Sequence, residues 1–120
     1  IMYAWKAVSG VSAFGTYTGT GSSAFTEQNL GFQPRWIMFK NISRNATEWP
    51  IHDSFRGNAD GGGSGVGARL YAQAPDPESN DASTQTYSTT FTSTGFTFPT
   101  TVYHNYWNTS GDTFIYMAFA

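Results

Sequence analysis

Between Pro34 and Asn41 the chain reads Pro-Arg-Trp-Ile-Met-Phe-Lys-Asn, the densest apolar run in an otherwise polar sequence. In an extended chain successive side chains point to opposite faces, so Trp36 and Met38 share one face and Ile37 and Phe39 the other. A strand wetted on one side alternates apolar with polar. This one does not, so it is expected to be central and covered on both sides, by a second sheet and by a long loop or a neighbouring subunit. Pro34 lacks the N–H of a ladder and marks where the strand can begin, and Lys40-Asn41 marks the return to solvent. Thr113 to Phe119 has the same character, with Thr113, Ile115, Met117 and Phe119 on one face and Phe114, Tyr116 and Ala118 on the other. The expected core joins Ile37, Phe39, Ile115 and Met117. The remaining faces, Trp36 with Met38 and Phe114 with Tyr116, are too apolar for water and predict subunit association.

The other segments are shorter. Tyr3 to Val8 and Val11 to Thr18 read as strands, broken at Ser9-Gly10, and Gly19 to Ser23 is a turn cluster. Phe25 to Leu30 suits a short edge strand. After the central strand, Ile42 to Thr47 is a polar hairpin loop leading to a strand over Glu48 to Ser54, in which Trp49, Ile51 and Asp53 share a face. Asp60 to Gly67 is a glycine-rich surface loop. It lacks the Gly-Lys-Ser/Thr of a phosphate cradle, since Ala68-Arg69 follows. Arg69 to Ala74 is a strand, Pro75 to Asp81 an irregular acidic loop, Thr84 to Thr92 a Thr-rich strand, and Phe96 to Pro99 its return across a Ser93-Thr94-Gly95 turn. Val102 to Trp107 is a further strand, and Asn108 to Asp112 the last turn. Nine or ten short strands without helical periodicity predict an all-β, antiparallel β-sandwich. Ile1-Met2-Tyr3-Ala4-Trp5 and Ile115-Tyr116-Met117-Ala118-Phe119 echo one another. The echo predicts a single domain over 1–120 that is one module of a longer or multi-copy chain.

Composition narrows the chemistry. Cysteine is absent, which removes thiol catalysis, zinc-thiolate sites and disulfide frameworks together. Charged residues make up 12% of the 120 and the net charge is -2, so no basic field exists to attract a phosphate backbone and nucleic acid is not an expected partner. Insertion into a membrane by a helix is not expected either, because no apolar run is long enough. Aromatics at 18%, with abundant Ser, Thr, Asn and Gly, are the palette of pleated strands joined by tight turns.

The candidate chemistry is sparse. His52-Asp53-Ser54 holds the residue types of a serine hydrolase, but adjacent strand residues alternate faces and cannot share one proton path. The expected reading places His52 at the surface, with Asp53 and Arg56 pairing near a strand end. His52 and His104 are too few for a transition-metal site. Asp76, Glu78, Asn80 and Asp81 lack the glycine and terminal glutamate of an EF-hand, leaving only a loose surface calcium site as an alternative. A glycan-cleaving enzyme would need two convergent carboxylates, and the eight acidic residues fall mostly in one loop. No catalytic residue, metal or cofactor is assigned. Asn41, Asn45 and Asn108 head formal glycosylation triplets of a kind that arises by chance in such a sequence.

Five stretches, in order, resemble a β-sandwich module of tail-fibre and other virion-surface proteins of tailed bacteriophages. They are Tyr17 to Gly21, Leu30 to Asn41, Asp53 to Gly57, Ser93 to Phe96 and Asn108 to Ala118. The resemblance implies a concanavalin-like jelly-roll in a fibre or appendage on the virion surface, without catalysis. Its expected partners are other virion subunits, copies of itself included, and a host-surface glycan or protein. The alternative is a capsid-decorating or fibre-assembly module with no host receptor.

Sugar recognition needs an apolar platform beside fixed hydrogen-bonding groups, and Tyr103-His104-Asn105-Tyr106-Trp107-Asn108 offers both at close spacing. Tyr103, His104, Asn105 and Trp107 are the expected ligand residues, with Asp76 and Asp81 of the acidic loop as a polar rim. The competing reading puts these aromatics in the core, where aromatics of sandwiches usually lie. Large exposed apolar patches would favour assembly, and isolated aromatic platforms would favour glycan binding.

Overall fold

A computed structural model describes residues 1–21, 25–55, 67–81, 89–98 and 106–120. Among them are nine strands: β1 (Ser12–Thr18), β2 (Gln28–Asn29), β3 (Trp36–Asn41), β4 (Pro50–Asp53), β5 (Gly67–Tyr71), β6 (Ser79–Asp81), β7 (Thr90–Phe91), β8 (Gly95–Thr97) and β9 (Thr113–Phe119). Every pairing is antiparallel. A six-stranded sheet runs β1-β9-β3-β4-β5-β6, and a three-stranded sheet runs β2-β8-β7. The chain is an all-β sandwich, and β3 lies within the large sheet between β9 and β4, as its two apolar faces require.

The core lies between the sheets. Ile37 and Phe39 of β3 and Phe114 and Ala118 of β9 are fully buried, with Tyr17 beside them and Phe91, Phe96 and Phe98 facing them from the small sheet. Tyr17 stacks on Phe114 with ring centroids 5.0 Å apart and donates its hydroxyl to the Trp107 carbonyl at 2.6 Å. Phe96 meets Phe39 at 5.6 Å and Tyr116 at 5.3 Å, so edge-to-face aromatic contacts bind the layers together.

The register corrects the expected core. Phe39 pairs with Tyr116, and Ile37 with Ala118, so the inward face of β9 is Phe114, Tyr116 and Ala118. Ile115 and Met117 lie on the other face with Met38 and are only half-buried. The alternation within each strand is as expected, but both faces of β9 are apolar and hydrophobicity does not choose between them.

Other differences follow from pairing. Residues 1–7 form no strand. Ile1, Met2, Tyr3 and Trp5 are exposed, and the arm is joined to the sheet by a bridge from Val8 to Ser12, by the Ser12 hydroxyl donating to the Lys6 carbonyl and by the Trp5 ring against Phe119. Its alternation is strand-like, but alternation without a partner ladder makes no strand. Ser79–Asp81, expected as loop, forms β6 because Ala68 and Arg69 offer a free edge opposite Asn80 and Ser79. β5 begins at Gly67, and β4 is the shorter Pro50–Asp53. The glycine-rich segment to Val66, most of the Thr-rich strand and Val102 to Asn105 lie outside the described residues.

Candidate functional site

The turn after β1 and the turn before β9 meet in a polar lock. Gly19 donates its N–H to the Asp112 carbonyl at 2.9 Å, and a side chain on Gly19 would sit 2.1 Å from the Thr109 carbonyl oxygen. Asn108, fully buried, accepts from the Thr20 N–H at 2.9 Å and donates to the Gly21 carbonyl at 2.8 Å. Asp112 accepts from Asn41 Nδ2 at 2.8 Å and from Arg44 Nε. The Arg44 hydrogen bond holds the Asp112 carboxyl below the ordinary carboxylate range against some desolvation, and Asn41 adds to the effect. The Tyr17 to Gly21, Asn41 and Asn108 to Asp112 pieces of the sequence pattern are therefore one structural joint. Asn41 and Asn108 serve it from the interior, so neither presents a glycan acceptor to solvent.

The large sheet carries an apolar face on its far side. One row crosses five strands in register: Phe14, Met117, Met38, Ile51 and Leu70, all half-buried. Thr16, Ile115 and Trp49 flank it on one side, and Phe119 and Trp36 on the other, with their rings 5.6 Å apart. Phe14, Thr16, Met38, Trp49, Ile115 and Met117 line an open groove of about 370 Å³. Charge enters this face through Lys40 and Asp53, and Lys40 is folded back to donate to the Thr47 carbonyl and hydroxyl over the Trp49 ring. Five strands at ~4.8 Å and rows about 7 Å apart make a patch on the order of 300 Å² in projection, the size of the largest apolar patch on a typical monomer, which is often functional.

The residues singled out for sugar binding are not brought together as a platform. Tyr103, His104 and Asn105 lie outside the described residues. Trp107 is fully buried, with His52 edge-on at 5.0 Å and the Arg69 guanidinium 5.9 Å from its ring, so it packs as core and offers no face to solvent. His52, expected at the surface, is buried between Phe39 and Trp107, because β4 turns Pro50 and His52 inward. Asp76 is exposed in the irregular stretch after β5, and Asp81 pairs with Gly67 on β6. A cluster missed in the sequence gathers His52, Arg69, Tyr71, Tyr106 and Trp107 on the inner side of β4 and β5. Arg69 Nε donates to the Tyr71 hydroxyl at 2.5 Å. A Pro-x-His strand beside a strand with Arg and Tyr two apart was the available signal.

Compared with known proteins, residues 1–120 match a family described as a domain of unknown function (DUF7483). No curated protein and no solved structure matches the chain.

Proposed function

We propose that this chain, which belongs to the DUF7483 family over its whole length, is a non-enzymatic structural module of a bacteriophage fibre or appendage, held to neighbouring subunits by the outer face of its large sheet. The observation that carries the reading is the five-strand row from Phe14 to Leu70, a continuous apolar patch of the size that is often functional where it occurs on a protein surface. The virion setting, and a jelly-roll topology of concanavalin type, rest on the sequence resemblance. Its first and last pieces form the joint that closes the fold. Against hydrolysis stands the geometry of β4, where His52 faces the core and Asp53 the outer side, so the His-Asp-Ser sequence does not converge.

The test is association. At tens of micromolar the chain should sediment as an oligomer, and Met38→Lys with Met117→Lys should give a monomer with unchanged circular dichroism. A wild-type monomer at 100 μM, or an oligomer that survives both lysines, overturns the reading.

A further inference from the structure

The β3–β4 hairpin has an open end, and a second surface feature is built there. Trp36 pairs with Asp53, and the Ser54 N–H donates to the Arg35 carbonyl at 2.9 Å, so the residues entering β3 and those leaving β4 are held side by side. Arg35, Trp36, Asp53 and Phe55 line a cleft of about 400 Å³. A smaller hollow of about 200 Å³ adjoins it, sharing Arg35 and Phe55 and adding Gln33 and Ser54. Phe55 is 87% exposed, and its N–H donates to Asp53 Oδ1 at 3.0 Å. Trp36 is braced from behind by Phe119, which in turn meets Trp5 at 6.3 Å. Ser54 Oγ is shielded from solvent and has no hydrogen-bond partner among the described residues.

We propose that this cleft binds a neutral pyranose unit of an oligosaccharide. An aromatic face exposed beside a guanidinium, a carboxylate and an amide is what a sugar ring requires. Its C–H face covers the ring, while its hydroxyls accept from Arg35 and donate to Asp53. Arg35 and Asp53 carry opposite charges at one cleft, so their fields offset, which favours an uncharged ligand over an acidic one. The volume falls within the range of small-ligand sites. The cleft lies at the Trp36–Asp53 edge of the outer face and shares no lining residue with the Phe14–Ile115 groove. The Met38→Lys, Met117→Lys chain, which leaves that groove's neighbours unbound, therefore keeps the cleft open for the test.

The experiment probes the chain against an array of neutral hexose and N-acetylhexosamine oligosaccharides beside uronic- and sialic-acid-bearing ones, followed by titration of the best neutral member with Trp fluorescence as readout. Wild type should bind a neutral member. Phe55→Ala and Asp53→Asn should each weaken it at least tenfold with melting temperature unchanged, Phe55→Tyr should restore it, and Met38→Lys with Met117→Lys should leave it intact. Binding to no neutral member, to acidic members alone, or undiminished in Phe55→Ala overturns the proposal.

Discussion

Gly19 illustrates how a single residue can be fixed by backbone geometry alone. The atom a side chain would strike is the Thr109 carbonyl oxygen, which belongs to the lock and has no rotamer by which to move away. Gly19→Ala should therefore cost about 3 kcal/mol or more in chemical denaturation, at the upper end of overpacking effects. Asp112 makes the same joint sensitive to acid. Its carboxyl titrates lower in the folded chain than in the unfolded one, chiefly because Arg44 bonds to it. Its contribution is then complete above the unfolded value of about 3.9 and disappears as pH falls through the lower folded value. Thermal melts should show wild type losing stability below about pH 4. Asp112→Asn should start lower at pH 7 and lose less by pH 3. Some acid sensitivity should persist through exposed Glu27, whose carboxylate is likewise held low by the Thr92 and Thr94 hydroxyls.

At the level of strands, period-two alternation was legible wherever a strand had a partner on each side. β9 carries the expected bounds, whereas β3 starts two residues after Pro34 and keeps Lys40 and Asn41 within it. Asn41, expected at solvent, is fully buried because it serves the lock. A turn at Ser93-Thr94 joins β7 to β8, with Thr92 N–H bonded to the Gly95 carbonyl at 2.8 Å. What the sequence does not encode locally is which face of a doubly apolar strand turns inward, because that depends on a register set by strands far away. This is why Met117 was assigned to the core and Tyr116 to the surface. The same blindness applied to the ligand site. Trp107 looked like a platform because polar residues precede it, and it is buried because Tyr17, His52 and Arg69 arrive from three distant strands to enclose it. The Phe55 cleft was invisible for the converse reason, since nothing in Ser54-Phe55 alone announces an exposed ring. Phe39→Ala and Trp107→Ala should each cost about 3 to 5 kcal/mol in urea unfolding, as buried aromatics do. Ile115→Ala, half-buried on the outer face, should cost about 1 kcal/mol or less when measured on the monomeric Met38→Lys, Met117→Lys background.

Over the whole molecule, two surfaces divide the work proposed for it: an apolar face for neighbours and a mixed cleft at the hairpin end for a sugar. The topology that supports both has a further consequence, in the time domain. β1 sits at the edge of the large sheet with β9 as its sheet neighbour, and Tyr17 waits for Phe114. The two strands are separated by about a hundred residues of chain. During translation at ~5–20 residues per second, Phe14 and Tyr17 leave the ribosome roughly 5 to 20 seconds before the strand that will cover them exists. β3 can pair with β4 early but needs β9 on its other edge, so β1 and one edge of β3 stay open together until β9 arrives. Folding of this domain is therefore expected to wait until β9 has emerged, to be slow as non-local β topologies are, and to be vulnerable in that interval to association between nascent copies.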